Sequence, residues 1–353
     1  MTTQPLGPLM IDLAGTELLP IEIEFLTNPA VGGIILFERN FANPNQLKQL
    51  VSDIRHHAPN LLIAVDHEGG SVWRFQEGFT KLPAMRLIGE LYDQDPQEGL
   101  RYAETAGWIL ASELLSYGID LSFTPVLDLD HQLSTVIKDR AFHSQSDKVT
   151  PLAKALILGM RNAGMKATGK HFPGHGGCRM DSHHSMTTDE RALDTLWQQD
   201  LQPFIQLHPE LGSIMTAHVS YPHIDPAPAT YSPFWLQTLL REKIGFSGAI
   251  ISDCLSMKGA ALEPQPIQRI HRALSAGCDL LILCQQSREI LQDTLSLCQF
   301  PPNPAREQRL ADLHGDFAFK SWEKPKPTLG QLWELDLDYP DKPGNDKLKL
   351  LPT

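Results

Sequence analysis

Short apolar, β-branched runs that end in a polar residue recur along the chain, and amphipathic stretches with helical periodicity lie between them. This is the alternation expected of βα units around a parallel sheet. Eight runs read as strands: 8–12 (PLMID), 32–37 (GGIILF), 61–66 (LLIAVD), 118–125 (GIDLSFTP), 166–172 (KATGKHF), 213–219 (SIMTAHV), 248–253 (GAIISD) and 279–284 (DLLILC). Helical patterns occupy 45–57, 98–117, 149–163, 190–208, 233–243, 265–276 and 287–297. Eight βα units close a barrel, so the pattern predicts an α/β fold of the TIM (β/α)8 type, a single catalytic domain over residues 1–325. The alternative, a doubly wound open sheet, usually carries a glycine-rich phosphate fingerprint after its first strand, and Asp12-Leu-Ala-Gly-Thr-Glu17 is not one. From Trp322 onward Pro, Lys and Asp accumulate without periodicity, so residues 326–353 are expected to form an extended or partly disordered tail with no catalytic role.

Composition narrows the setting more than the chemistry. A length of 353 residues leaves one large domain or two medium ones, and is enough to bury a sizeable core. No run approaches the roughly 18 consecutive apolar residues of a membrane span, and Met1-Thr-Thr-Gln-Pro5 lacks the basic and apolar regions of an export signal. The five cysteines, Cys178, Cys254, Cys278, Cys284 and Cys298, are odd in number and scattered without C-x-x-C spacing. That suits reduced thiols in the cytoplasm, most of them acting as small buried apolar residues. A net charge of -12 with no Lys/Arg block argues against a nucleic-acid or anionic-membrane partner. The expectation is a cytoplasmic monomer.

In a parallel barrel the chemistry sits at the C-terminal ends of the strands, so the ionisable residues closing apolar runs are the ones to collect. They are Asp12, Asp66, Asp128, Lys170 with His171, His218 and Asp253. Any one alone could be a helix cap or a turn residue, yet no second set stands at the opposite strand ends. The long loop after the fifth run packs His171, His175, Cys178, Asp181, His183 and His184 into fifteen positions from Lys170. Three readings compete for it. A zinc site lacks the H-E-x-x-H or C-x-x-C spacing that fixes tetrahedral ligands, so no metal or other cofactor is expected. An unspecialised surface loop fits poorly with so much Gly, Pro and His. The third reading is acid/base chemistry, because Asp181 and His183, two apart, can share a hydrogen bond that orients the imidazole and raises its basicity. The other anchor is Asp253, which follows Gly-Ala-Ile-Ile-Ser: a carboxylate at the end of a buried strand is rigidly aimed and can attack an anomeric carbon. Most retaining glycosidases pair such a group with a second carboxylic acid about 5 Å away. Here a His-Asp couple stands in that place.

At these residues the chain strongly resembles glycoside hydrolase family 3, and within it the bacterial β-N-acetylhexosaminidases of peptidoglycan recycling. The resemblance spans about residues 6 to 300 and rests on Lys170-His-Phe-Pro-Gly-His-Gly176 followed by Asp181-Ser-His183, on Val65-Asp-His-Glu-Gly-Gly70 with Trp73-Arg-Phe75, on Phe123-Thr-Pro-Val-Leu-Asp128, and on Ile251-Ser-Asp-Cys-Leu-Ser-Met257 with Gly259. It implies a retaining double displacement with Asp253 as nucleophile, His183 as acid/base and Asp181 as its partner. It also implies that Asp66, Arg74, Arg140, Lys170 and His171 grip sugar hydroxyls and the N-acetyl group, a task suited to a forked guanidinium, an ammonium and a carboxylate. The implied substrate is an oligosaccharide of the N-acetylglucosaminyl-1,6-anhydro-muramyl peptide kind.

Three positions depart from the family's pattern. Ser71 stands where relatives usually have Arg, Cys254 where they have a second acid after the nucleophile, and Lys138-Asp139 where they have Gly followed by an acid. Losing a carboxylate at Cys254 relieves like-charge pressure on Asp253. Two other functions compete with hydrolysis: a sugar-binding pseudoenzyme, and a phosphorylase, since a histidine acid/base repels incoming phosphate less than a carboxylate does.

Overall fold

The computed structural model describes residues 6–178 and 187–317. Its barrel strands, numbered in chain order, are β1 (Leu9–Asp12), β2 (Val31–Leu36), β3 (Leu62–Val65), β4 (Leu121–Ser122), β5 (Thr168–Phe172), β6 (Ser213–Thr216), β7 (Ala249–Ser252) and β8 (Leu281–Leu283). All of their residues are buried. Both faces of a parallel barrel sheet are covered, one by the interior and one by helices, which is why these segments read as near-continuous apolar runs rather than alternating ones. Hydrogen bonding gives the order β8-β1-β2-β3-β4 and, separately, β7-β6-β5. Two parallel bridges, Val126 to Lys170 and Ile251 to Leu280, join these arcs and close the ring. The chain is a TIM-type barrel, and the open-sheet alternative falls. The fourth run contributes only two residues of regular strand, because Thr124-Pro125 follows and proline cannot donate to a ladder.

The helices are α1 (Pro20–Leu26), α2 (Pro44–His57), α3 (Met85–Gln94), α4 (Pro96–Ser116), α5 (Ser146–Asn162), α6 (Leu193–Gln198), α7 (Gln202–Leu207), α8 (Phe234–Ile244), α9 (Pro266–Ala276), α10 (Arg288–Leu297) and α11 (Pro304–Ala311). The helix α2 shows how local signals and packing agree. The Asn43 side chain accepts from the Gln46 N–H, Pro44 takes the first turn, and Leu47, Leu50, Val51 and Ile54 form the buried stripe. Between α4 and α5 the backbones touch: a Cβ on Gly107 would lie 2.1 Å from the Leu156 carbonyl oxygen, and one on Gly159 1.9 Å from that of Glu104. Only glycine permits that approach. The pattern over 190–208 splits into α6 and α7, since Pro203 lacks an N–H and its ring would clash with the preceding turn, so the helix restarts with proline in its first turn. The periodicity did not single out α1, α3 or α11, all of ten residues or fewer.

A small accessory sheet of Thr187–Thr188, Val219–Tyr221 and Asp225–Pro228 lies on the loops after β5 and β6. The expected tail over 326–353 lies outside the described residues.

Candidate active site

The end of β3 delivers Asp66, His67 and Glu68 into a sharp reversal. Gly69 has φ +110°, the Glu68 N–H donates to the Val72 carbonyl at 2.8 Å, and a Cβ on Gly69 would sit 2.7 Å from the Pro83 carbonyl. The turn leaves the Glu68 carboxylate buried. Two cations meet it there. Lys170, from β5, places Nζ 2.5 Å from Glu68 Oε1 and 2.8 Å from Asp66 Oδ1. Arg140, ending the short turn Lys138–Arg140, forks onto Glu68 with Nε 2.9 Å from Oε2 and Nη2 2.7 Å from Oε1. Burial alone would raise the Glu68 carboxyl, but Arg140 and Lys170 more than offset it and hold the group well below the usual carboxylate range. Burial works against the Arg140 charge in turn, and Glu68 pushes its pKa up nonetheless. Each charge is tolerable inside only because the others are there.

Beside this cluster, Asp128 is fully buried after β4. Its Oδ2 takes the His171 Nδ1 at 2.6 Å and the His171 backbone N–H at 3.2 Å, while its Oδ1 accepts the His175 backbone N–H at 2.7 Å. Burial opposes ionisation of Asp128, but His171 and then His175 outweigh it and the carboxyl stays below its ordinary value. A carboxylate can only accept, so Nδ1 of His171 carries the hydrogen in this bond.

Asp253 follows directly on β7 and is half-buried. Its Oδ1 accepts the Cys254 backbone N–H at 2.7 Å. The same Cys254 gives its carbonyl to His218 Nε2 at 3.0 Å, and His218 Nδ1 lies 2.9 Å from the Thr230 hydroxyl. Electrostatics tie these pieces into one mouth: the Asp253 charge reaches His175, and the charges of Asp66 and Asp128 both reach Arg140.

Of the residues picked from the sequence, Asp66, Lys170 and Arg140 are brought together, the last through Glu68, while His171 follows Lys170 on β5 against Asp128 and Asp253 stands at the end of β7. Arg74 is half-buried, and its buried Nε has no hydrogen-bond partner among the described residues. Asp181 and His183 lie outside the described residues. The stem beyond them is firmly held: Arg191 grips Asp189 at 2.6 Å and Asp200 at 2.7 Å, and Asp200 also meets His131 at 3.0 Å. Glu68 was not singled out from the sequence, although it stands two residues beyond a strand-end aspartate and just before Gly-Gly, a position where only a turn into the mouth makes sense. Asp12 takes a structural part. It binds Arg39 at 2.5 Å, Arg288 at 2.9 Å and the Gln285 N–H at 2.7 Å, tying β1 to the loops beside it. Among the described residues no group of three or more His, Cys, Asp or Glu is placed to hold a metal ion, and no helix is long and apolar enough to cross a membrane.

His67 carries a testable consequence. Burial first, then the Arg74 charge, with only partial opposition from Glu68, lower its pKa from 6.5 to about 3. The unfolded chain binds a proton below about pH 6.5 that the folded imidazole refuses, so stability should fall as pH drops from there toward about 3, by about 1.4 kcal/mol per pH unit. Urea midpoints at pH 7 and pH 5 should converge in His67→Phe relative to the parent. An unchanged pH slope in the variant would remove His67 from the account.

The family model for the glycosyl hydrolase family 3 N terminal domain matches residues 14–300. A beta-hexosaminidase of Chromobacterium violaceum is 48% identical over 322 residues, 91% of this chain and 90% of its own length. One from Methylococcus capsulatus is 50% identical over 307 residues, with 87% and 91% covered. Among solved structures, NagZ from Neisseria gonorrhoeae in complex with N-trifluoroacetyl-D-glucosamine is similar at a TM-score of 0.84 and 43% identity, covering 88% of this chain and 91% of that one. With a matching barrel, a matching family model over most of its length and relatives at about half identity, the chain belongs to glycosyl hydrolase family 3 and is a glycoside hydrolase.

Proposed function

We propose that the chain is a cytoplasmic, monomeric, retaining exo-β-N-acetylglucosaminidase whose whole chemistry resides in the barrel, with 326–353 taking no part. The observation that carries this reading is the buried Lys170–Asp66–Glu68–Arg140 cluster beside the Asp128-held His171 at the strand ends, with Asp253 at the end of β7 and its charge felt by His175. A carboxylate oxygen of Asp253 attacks the anomeric carbon as His183 gives its proton to the glycosidic oxygen and the aglycone leaves. His183 then takes a proton from water, which displaces Asp253 from the glycosyl ester and restores both groups. Asp181 accepts the other imidazole N–H and keeps the ring aimed. Asp66, Arg74, Arg140, Lys170 and His171 bind the sugar. The names of the relatives support the hexosaminidase assignment, and the glucosamine derivative bound by the gonococcal protein supports an N-acetyl sugar. The natural substrate we propose is a GlcNAc-1,6-anhydro-muramyl peptide from cell-wall turnover.

The experiment compares aryl N-acetyl-β-glucosaminide with aryl β-glucoside, each with and without phosphate. A site built to hydrogen-bond the amide leaves buried groups unpaired when glucose binds, so about 1–3 kcal/mol of transition-state stabilisation should be lost, a drop in kcat/KM of roughly five- to 150-fold. Equal values on the two sugars would remove the N-acetyl assignment. Release of sugar 1-phosphate with phosphate present would make the chain a phosphorylase, and no turnover of either substrate would leave a sugar-binding protein.

A further inference from the structure

The segment proposed to carry the acid/base pair meets one guanidinium at both of its ends. It leaves β5 through Gly174, Gly176 and Gly177 and returns at Thr187–Thr188, which pairs with Val219 and Ser220. The outgoing backbone is held from three directions. Tyr221 donates its hydroxyl to the Gly174 carbonyl at 2.6 Å, the His175 N–H donates to Asp128 at 2.7 Å, and a Cβ on Gly176 would lie 1.7 Å from the Leu129 carbonyl oxygen. On the returning side the Asp189 N–H donates to the Ser220 carbonyl at 2.9 Å, and the Asp189 carboxylate accepts Nε and Nη2 of Arg191 at 2.9 and 2.6 Å. The other edge of that guanidinium, Nη1, donates to Asp200 at 2.7 Å, in the link between α6 and α7, and lies 3.2 Å from His131 Nε2. A Cβ on Gly177 would fall 2.2 Å from Arg191 Nη2 and 2.5 Å from Asp189 Oδ2. The outgoing backbone therefore rests directly on the ion pair that holds the returning one.

Such a cluster is a poor device for stability alone. Asp189 and Asp200 are buried, and stripping water from two carboxylates and a guanidinium costs much of what their attraction returns, so apolar side chains of similar size often hold a fold as well. What the ions supply is direction. A rigid planar fork fixes the Gly177 backbone, the Asp189 backbone and the α6–α7 link relative to one another. We infer that Arg191 is a positioning residue for the acid/base step, and that by fixing the two ends of the segment between 178 and 187 it sets the aim of His183. The role rests on the reading of His183 as acid/base. Residues 179–186 join the two ends and include Asp181 and His183, so a displacement of either end is passed to the imidazole. Sugar binding is built separately, on Lys170, Asp66, Glu68 and Arg140, which hold one another. Loosening Arg191 should cost proton transfer and spare binding.

The experiment takes a disaccharide and aryl N-acetyl-β-glucosaminides of graded leaving-group pKa through the full-length parent, Arg191→Lys, Gly177→Ala and His183→Ala. Lysine keeps the charge but cannot fork onto two carboxylates. The alanine methyl presses the guanidinium away from the opposite side, and it serves if the lysine variant does not fold. Either variant should lower kcat/KM on the disaccharide by roughly ten- to a hundredfold, the scale of an ångström of misplacement. On a nitrophenyl glycoside, whose leaving group hardly needs the proton, kcat/KM should be largely kept, and inhibition by N-acetylglucosamine should match the parent. The slope of kcat/KM against leaving-group pKa should therefore steepen as it does in His183→Ala. Equal losses across the series, or weaker inhibition by N-acetylglucosamine in step with the loss, would make Arg191 a purely structural brace and overturn the proposal. Failure of both variants to fold would do the same. So would a slope that steepens in His183→Ala but not in the folded Arg191→Lys or Gly177→Ala. No steepening in His183→Ala itself overturns the reading of His183, and the positioning role falls with it.

Discussion

Asp253→Asn should fold like the parent and lose about a thousandfold or more in kcat/KM on every β-N-acetylglucosaminide, about 4 kcal/mol of transition-state stabilisation. Folding should survive because the side chain stands half-buried at the end of β7 and an amide oxygen still accepts the hydrogen bond from the Cys254 N–H. Activity should not, because an amide neither attacks the anomeric carbon nor leaves again from it. A 2- or 5-fluoro sugar that deglycosylates slowly should label Asp253 in the parent protein. Mass spectrometry that finds the label on another carboxylate of the mouth, such as Asp66 or Glu68, would reassign the nucleophile. Matching thermal midpoints for parent and variant are needed alongside, so that the loss is read as chemistry.

His183→Ala should separate substrates by their leaving groups. A positioned general acid contributes roughly a hundredfold to ten-thousandfold, but only where the departing oxygen needs a proton. A sugar alkoxide needs one and a nitrophenolate hardly does, so hydrolysis of a disaccharide should collapse while glycosylation by an activated aryl glycoside is largely kept. Deglycosylation should slow with both, since the same imidazole must then activate water. Asp181→Ala should give a milder version, the ring remaining without its orienting partner. If His175 or His184 does the proton transfer instead, fractional losses will be similar for good and poor leaving groups. The plot of kcat/KM against leaving-group pKa decides it: a slope no steeper in His183→Ala than in the parent removes His183 as the acid.

The barrel was legible in the sequence because a parallel strand covered on both faces must be apolar throughout, and its C-terminal end must then carry whatever polar group faces the mouth. Asp66, Lys170, His171 and Asp253 could be collected on that rule alone. The same rule collected Asp12 with equal force, and only the folded chain shows it spent on Arg39 and Arg288. Glu68 escaped for the converse reason: its importance comes from no local pattern but from Gly69 turning the backbone and from two cations arriving from elsewhere. Arg140 reaches it from 72 residues away, and Lys170 reaches Asp66 across 104. Periodicity and capping act over a few residues and are written in the chain. Which buried charges neutralise one another depends on which strand ends the closing barrel makes neighbours, and that is settled only when Val126 meets Lys170 and Ile251 meets Leu280.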